Sequence, residues 1–342
     1  MKNWIIAITF ILSFVLVSCT SSEDEIQKRV MQTQLASTLS AIPATSAPAP
    51  TPTPIFTPVE TASPLPPIES PTMSPTPAAT PTLAPDAWKS VPVLPTGVSQ
   101  RICMVYKLGQ MQGNNPKAFS KVGDCQSELP NFFGYIDDGK YNLGQYTYLQ
   151  PVIDYFAGSF SRTSRATKNG LTASAVMVPL WNTWKDCGVN ETPLDCEYRI
   201  WKPSIAIISL GTNDANGLVP FETTLRRVIN STLGHGIIPI LATKADNAEG
   251  DNSINATIVR LAYEYEIPVW NFWLAVQPLP QHGLRSPEHL TFDEYGYPTD
   301  FSKPDSLNYA FNVRNLTALQ ALNIVWQGCS DTTATAAATP TP

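Results

Sequence analysis

The feature that most restricts this chain is a proline-rich segment between Pro43 and Pro95, which holds 16 of the 32 prolines among 342 residues. Thr-Pro, Ser-Pro and Ala-Pro pairs recur in it, and this composition cannot bury enough apolar surface to offset the entropy of ordering the chain. We therefore predict a disordered, extended stalk over residues 20–96, whose proline-rich part, residues 41–95, reaches on the order of 150 Å at about 3.1 Å per residue. Residues 331–342 have a similar composition and are predicted to be a disordered tail, which leaves residues 97–330 as one domain.

The N-terminus carries an apolar run over residues 4–17 behind a lysine. The run is too short to cross a bilayer as a helix and fits the core of a signal peptide. It ends in Leu-Val-Ser-Cys at positions 16–19, which resembles a bacterial lipobox. By that resemblance residues 1–19 are a lipoprotein signal peptide, Cys19 is the lipid attachment site, and the protein lies on the extracytoplasmic face of a bacterial membrane. Ordinary cleavage near Ser18, or an uncleaved anchor, stays open.

Within residues 97–330, apolar runs of strand length alternate with stretches of helical period. Runs typical of buried strands lie at residues 118–122, 204–210, 237–242 and 267–272, and helical stretches lie at 102–111, 146–156, 218–233, 252–265 and 315–326. This alternation predicts an α/β fold with a parallel sheet covered on both faces, a three-layer α/β/α sandwich. Ligands bind such sheets outside the carboxyl ends of the strands, so the segments just after the strands are the candidate site.

Three of those segments are polar and contain glycine or histidine. They are Gly123-Asp124-Cys125, Leu-Gly-Thr-Asn-Asp at 210–214, and His-Leu-Thr-Phe-Asp-Glu-Tyr-Gly-Tyr from His289 onward. In this order they resemble the sequence blocks of the SGNH (GDSL-type) hydrolase family, with cysteine in place of the first-block serine. Gly170 fits the second-block glycine. The resemblance covers residues 118–297 and implies the flavodoxin-like SGNH hydrolase fold.

The resemblance also implies ester hydrolysis, because in this family a serine attacks the ester carbonyl and a histidine accepts its proton. Carried over by position, Cys125 is the nucleophile, His289 is the base, and Gly170 and Asn213 donate hydrogen bonds to the oxyanion. Such chemistry needs a base beside the nucleophile and preorganised donors at the developing charge. The supporting residues in the same segments are Asp124, expected to cap the turn that follows it, Gly211, Asp214 and Glu288.

Two positions depart from the family pattern. The nucleophile is Cys125 instead of a serine, and Ser286 stands three residues before His289, where the family has an aspartate. Glu288 and Asp293 are the acidic residues close enough in sequence to orient the imidazole instead. Because loss of the orienting acid lowers the rate strongly, a site that has lost turnover is an open alternative.

The cysteine count bears on the nucleophile. Without Cys19 five cysteines remain, which are Cys103, Cys125, Cys187, Cys196 and Cys329. An odd number leaves one thiol outside intramolecular bridges, and fifteen arrangements with two bridges are possible. We favour Cys187–Cys196, which flank a short polar loop, and Cys103–Cys329, near the two ends of the domain. Cys125 then keeps its thiol, and its place at a helix start near His289 is expected to lower its pKa.

Charge and motifs exclude several classes of function. A net charge of −6 without a basic run is not typical of nucleic-acid binding. The sequence shows no metal-ligand spacing, phosphate loop or Gly-x-Ser-x-Gly elbow. We predict a monomeric hydrolase without metal or cofactor, whose substrate is a small-molecule or carbohydrate ester, with the acyl group on a carbohydrate or a lipid. The alternatives are a non-catalytic domain that binds a ligand at Asn213 and a thiol-dependent acyltransferase; Ser127 is the weaker candidate for the nucleophile.

Overall fold

A computed structural model describes residue 84 and residues 86–215, 217 and 219–336. The predicted signal peptide, the predicted lipid attachment site Cys19, most of the predicted stalk and the end of the predicted tail lie outside these residues. Four parallel strands form one sheet in the order β1, β2, β3, β4. They are β1 (Asn115–Gly123), β2 (Pro203–Ser209), β3 (Ile238–Ala242) and β4 (Val269–Trp270).

Strand β2 lies inside the sheet, and all of its residues are buried. It pairs with β1 on one side, where Gly123 is opposite Ser209, and with β3 on the other, where Ile207 is opposite Ile240. Its continuous apolar sequence therefore fits a strand that is covered on both faces. Beyond β1, Gly123 forms one more parallel bridge, with Thr167. If the segment of Thr167 is counted as the second strand in chain order, β2, β3 and β4 become the third, fourth and fifth strands. The order across the sheet is then 2-1-3-4-5, as in flavodoxin-like folds.

Helices flank the sheet. They are α1 (Gln100–Met111), α2 (Gln150–Tyr155), α3 (Pro193–Trp201), α4 (Phe221–Gly234), α5 (Ser253–Glu264), α6 (Phe272–Val276) and α7 (Ala310–Ala336). Helices α4 and α5 connect successive parallel strands and pack against each other, whereas α1 packs against α7. Because crossovers between neighbouring parallel strands are right-handed, α4 and α5 lie on the same face of the sheet. Helices therefore form a layer on each side of the sheet, which confirms the predicted three-layer α/β/α sandwich. In the described part of the chain, no helix is long and apolar enough to span a membrane.

Three local features differ from the sequence prediction. Residues 146–156 are not one helix, because a non-helical backbone at Tyr146 separates the 3₁₀ turn Gly144–Leu149 from α2. The strand predicted over residues 267–272 is limited to β4, because the Asn271 side chain accepts a backbone N–H of the next turn and thereby begins α6. Helix α3 is an additional element that the hydrophobic pattern does not reveal.

Ordered structure extends past both predicted ends of the domain. Trp88 is buried, its ring centroid lies 4.8 Å from that of Trp273, and its carbonyl accepts a hydrogen bond from Asn271 Nδ2 at 3.2 Å. The stalk boundary predicted at residue 97 therefore lies inside packed structure, because this apolar segment covers the start of α6. Helix α7 continues past residue 330 to Ala336, inside the segment predicted to be a tail.

Two disulfides occur in the described part of the chain, one between distant segments and one across a short loop. Cys103 pairs with Cys329, which ties α1 to α7, and Cys187 pairs with Cys196. Both pairings were the favoured ones among those the sequence permits, and they are confirmed. Cys125 belongs to neither disulfide and keeps its thiol.

Candidate active site

Cys125 begins a 3₁₀ turn, Cys125–Ser127, directly after β1. The buried Asp124 carboxylate accepts a hydrogen bond from the Gln126 N–H at 2.9 Å, which confirms Asp124 as the cap of this turn. A Cβ on Gly123 would lie 2.3 Å from Ser127 Oγ, so only glycine allows the turn to approach the strand this closely. Cys125 is partly exposed, whereas Ser127 is buried. Of these two side chains, the thiol of Cys125 is therefore the one that solvent reaches.

His289 lies on a loop of residues 284–291, the histidine loop, which is closed by an antiparallel bridge between Leu284 and Leu290. Its Nδ1 lies 2.8 Å from Ser286 Oγ, and the same oxygen accepts the His289 backbone N–H at 3.3 Å. Both residues are partly exposed. Ser286 thus occupies the place at the imidazole that the family resemblance assigns to an aspartate.

Neither acidic residue that the sequence offered as a partner of His289 contacts its ring nitrogen. Glu288 has an exposed side chain, and its backbone carbonyl accepts a hydrogen bond from Gln126 Nε2 at 2.8 Å. Asp293 accepts the backbone N–H two residues further on at 2.9 Å, because it closes the next turn of the chain. The hydroxyl of Ser286 therefore holds Nδ1, and Gln126 ties the histidine loop to the turn after β1.

Gly170 lies on the segment that runs beside the end of β1. The Gly123 N–H donates to the Ala166 carbonyl at 3.0 Å, and the Lys168 N–H donates to the Gly123 carbonyl at 3.2 Å. The Leu171 N–H then closes a turn on the Lys168 carbonyl at 3.0 Å, and within this turn Gly170 has a φ of 76°. A Cβ at Gly170 would meet nothing within 4 Å, so the backbone conformation, not lack of space, favours glycine here.

Asn213 and Asp214 reach the same segment from the end of β2. Asn213 Nδ2 lies 3.5 Å from the Leu171 carbonyl oxygen, and the two oxygens of Asp214 accept the Ala173 N–H at 3.0 and 3.1 Å. Gly211 begins this turn with a φ of 132°, and a Cβ there would lie 2.7 Å from a neighbouring side chain. The polar turn after β2 is therefore fitted closely against the Gly170 segment.

These hydrogen bonds bring the predicted segments together at the carboxyl ends of β1 and β2. The segment of Gly170 is bonded to the end of β1 and to Asn213, and Gln126 joins the loop of His289 to the turn of Cys125. This edge of a parallel sheet is where α/β proteins bind ligands.

A buried ion pair supports the turn that carries Asn213. Lys244 Nζ lies 2.7 Å from Asp246 Oδ1, and both side chains are buried. Thr212 Oγ1 donates to Asp246 Oδ2 at 2.8 Å, so the loop after β3 anchors the turn after β2.

A second pair of charged groups is buried beneath Cys125. Burial raises the pKa of Asp124 to about 6, although the Gln126 N–H and Arg314 favour its charged form. Burial lowers the pKa of Arg314 to about 10, while Asp124 and Cys125 act in the opposite direction. The guanidinium of Arg314 therefore stays charged at neutral pH.

Among the described residues, one group of potential metal ligands lies close together, and it consists of Cys187, Glu191 and Cys196. The two cysteines form a disulfide and have no thiolate to offer, so this group does not suit a metal ion.

Solved structures similar to this chain include three bacterial proteins. The first is a G-D-S-L family protein from Desulfitobacterium hafniense, with 15% identity and a TM-score of 0.37 over 59% of this chain and 99% of the other. The second is a GDSL-like lipase from Bacteroides thetaiotaomicron, with 14% identity and a TM-score of 0.35 over 65% of this chain and 97% of the other. The third is a catalytic mutant of an acetylxylan esterase from Geobacillus stearothermophilus, with 13% identity and a TM-score of 0.41 over 62% of this chain and 97% of the other. No family model and no curated protein sequence matches the chain.

Proposed function

We propose that the protein is an ester hydrolase in which Cys125 is the nucleophile and His289 is the general base. The observation that carries the proposal is the contact of 2.8 Å between Ser286 Oγ and His289 Nδ1. When Nδ1–H donates to this hydroxyl, Nε2 is the nitrogen that accepts a proton. The bond from Gln126 to the histidine loop supports the approach of this imidazole to the turn of Cys125.

The hydrogen-bonding capacity of Ser286 fits this tautomer. A hydroxyl oxygen has two acceptor lone pairs, and Ser286 Oγ has two N–H groups of His289 within reach, Nδ1–H at 2.8 Å and the backbone N–H at 3.3 Å. With both bonds accepted, the imidazole has a fixed orientation although no carboxylate holds it.

The reaction has two halves. In the first, His289 Nε2 takes the proton of Cys125 Sγ, and the sulfur forms a bond to the ester carbonyl carbon while the carbonyl π electrons move to oxygen. The Gly170 N–H and Asn213 Nδ2 would stabilise this oxyanion. Its collapse breaks the ester C–O bond, and the imidazolium gives its proton to the departing alcohol, which leaves a thioester. In the second half, His289 deprotonates a water that attacks the thioester; the S–C bond breaks, the carboxylic acid leaves, and Cys125 regains its proton.

The two departures from the family pattern compensate each other in this scheme. A thiol has an ordinary pKa near 8.5 and loses its proton far more readily than an alcohol does. Cys125 therefore needs a weaker base than a serine would. The neutral hydroxyl of Ser286 orients the imidazole but does not neutralise the positive charge of the imidazolium. A thiol nucleophile depends less on that neutralisation than an alcohol does.

We further propose that the substrate is an acyl group on a carbohydrate or a lipid, and that the enzyme acts at the extracytoplasmic face of a bacterial membrane, with Cys19 as the lipid anchor and the proline-rich segment as a stalk. The sequence around Cys19 supports the anchor. The two disulfides support an oxidising compartment, since such bonds are rare where thiols are kept reduced.

The experiment is hydrolysis of p-nitrophenyl acetate and butyrate by the full chain. We expect Cys125→Ala and His289→Ala to reduce turnover to the buffer rate. His235→Ala is the matched control, because His235 is exposed at the end of α4 and its Nδ1 contacts the carbonyl of its own helix at 2.8 Å. This variant should keep the full rate.

Three results would contradict the proposal. Turnover that survives Cys125→Ala refutes the nucleophile. A folded protein that cleaves no ester across a broad panel is not a hydrolase, and saturable ligand binding would then indicate a non-catalytic domain. Product that appears mainly as a new ester when an alcohol is added would indicate an acyltransferase.

A further inference from the structure

Arg314, in the second turn of α7, is fully buried directly beneath the turn that carries Cys125. Its Nε donates to the Gln126 carbonyl at 3.2 Å, and its Nη2 donates to Ser127 Oγ at 3.2 Å and to Ser209 Oγ at 2.9 Å. One guanidinium thus joins the two turn residues that follow Cys125 to the last residue of β2. Its position fixes the backbone from which the Cys125 sulfur projects.

The same part of α7 holds the histidine loop. The backbone N–H of Ala310 donates to Thr291 Oγ1 at 2.9 Å, and the Phe311 N–H donates to the Thr291 carbonyl at 3.1 Å. Thr291 lies two residues after His289. The first turns of α7 therefore contact both segments of the proposed catalytic pair.

The surroundings of the Arg314 charge are mostly apolar. Its guanidinium lies over three aromatic rings, at 4.7 Å from the centroid of Phe132, 5.2 Å from Trp270 and 5.1 Å from Phe272. Its Nη1 is buried and has no hydrogen-bond partner among the described residues. A buried cation in such a place is costly unless a negative charge lies near it. The charges that act on it are those of Asp124 and Cys125.

We propose that Arg314 is a positioning residue that fixes the Cys125 turn and whose buried charge stabilises the thiolate form of Cys125. This inference rests on the proposed function, since it assigns to Arg314 part of the activation of the nucleophile. Arg314 from α7 interacts electrostatically with the thiol, Asp124 precedes it in its own turn, and His289 is the titratable group of the histidine loop, which Gln126 joins to this turn. Asp246 and Glu128 act on it indirectly, through Asp124. Arg314 and a protonated His289 favour the thiolate, whereas the carboxylates oppose it.

The test measures the thiolate directly and needs no turnover. Iodoacetamide alkylates the thiolate, with a new S–C bond and release of iodide, so its rate against pH gives the midpoint at which the thiol ionises. The full chain is labelled between pH 5.5 and 9.5, digested with trypsin, and the peptide of residues 122–140, which contains no cysteine except Cys125, is quantified by mass spectrometry.

We expect the wild-type midpoint to lie below the ordinary thiol value of about 8.5. Arg314→Met, which fills the aromatic site without charge, should raise the midpoint by about one pH unit and slow labelling at pH 7 about tenfold. Arg314→Lys keeps the charge and should stay close to the wild type. The matched control is Arg260→Gln, which removes an arginine from the exposed ion-pair network of α4 and α5 and should change nothing.

A wild-type midpoint at or above 8.5 overturns the proposal without any variant. So does a folded Arg314→Met protein with the wild-type profile, or an Arg314→Lys protein that behaves like Arg314→Met. Should Arg314→Met not fold, Arg314→Gln replaces it. The outcomes also separate the two proposals. A shifted midpoint without ester hydrolysis supports the role of Arg314 and refutes the hydrolase, whereas hydrolysis that depends on Cys125 with unshifted midpoints supports the hydrolase and refutes the role of Arg314.

Discussion

Placing a carboxylate beside His289 is the perturbation that most sharply tests whether the Ser286 hydroxyl serves the proposed base in place of an acid. Ser286→Asp places a negative charge where the structure has a hydroxyl 2.8 Å from His289 Nδ1. Because Ser286 is partly exposed, the longer aspartate side chain has room to turn toward the imidazole. The carboxylate would then hold the tautomer with Nδ1–H and stabilise the imidazolium that forms during attack.

The size of the gain follows from the geometry. A carboxylate and an imidazolium with charge centres about 4 Å apart attract each other by about 4 kcal/mol at an effective dielectric constant of about 20. Both residues are partly exposed, so solvent reduces this attraction to roughly 1.5–3 kcal/mol. We therefore expect kcat at pH 7 to rise about 10- to 100-fold.

The assay is p-nitrophenyl acetate hydrolysis at saturating substrate, with kcat and KM reported separately. Ser286→Asn is the matched control, because it has the shape of aspartate without the charge and should give no gain. In a Cys125→Ser background the benefit of Ser286→Asp should be larger, since an alcohol depends more on a strong base than a thiol does. A folded Ser286→Asp protein no faster than Ser286→Asn, or an equal gain in both backgrounds, would show that a carboxylate at position 286 does not assist His289 as a base.

Three other predictions concern the proposed oxyanion donor Asn213, a buried lysine and a disulfide. Asn213→Ala should lower kcat about 100- to 1000-fold with little change in KM, as measured in the same assay. Lys121 is buried, and burial together with Arg162 lowers its pKa to about 7, so the folded state binds its proton less tightly than the unfolded state does. Its charge therefore destabilises the fold below pH 7, and this cost fades as the pH rises toward 10.5. In denaturant titrations, Lys121→Met should raise the free energy of unfolding by about 2–4 kcal/mol at pH 6 and by less at pH 10. Equal gains at both pH values would contradict this prediction. Cys329→Ser should cost about 2–5 kcal/mol of stability in thermal unfolding, because it opens a bridge between residues 226 apart in sequence, and an unchanged melting temperature would argue against a structural role.

The parts of the fold that the sequence predicts are those set by local pattern. The apolar run of β2 and the polar turn after it could be placed because a strand covered on both faces needs uninterrupted apolar residues. The cap at Asp124 could be predicted because a short carboxylate before a turn satisfies a free backbone N–H. The disulfides were the favoured pairings because one spans a short loop and the other joins the domain ends.

The parts that sequence reasoning does not reach depend on contacts between distant residues. Arg314 lies 189 positions after Cys125, in an ordinary helical sequence, and only the packing of α7 under the turn shows that its guanidinium contacts the Gln126 carbonyl. Ser286 carried a signal, its spacing of three before His289, but charge alone favoured Glu288 or Asp293 as the partner. The start of the domain near Trp88 was also hidden, because its neighbours have the composition of the stalk while its own ring packs on α6.

The central claim is that the Cys125 sulfur forms a thioester with the acyl group of an ester, and the most direct measurement is the mass of its peptide during turnover. The full chain is mixed with p-nitrophenyl acetate, quenched in acid after milliseconds to seconds, and digested, and residues 122–140 are analysed by fragmentation. We expect an added acetyl group on Cys125, released by neutral hydroxylamine and absent from Cys125→Ala. Turnover with the acetyl group on another residue, Ser127 included, would contradict it.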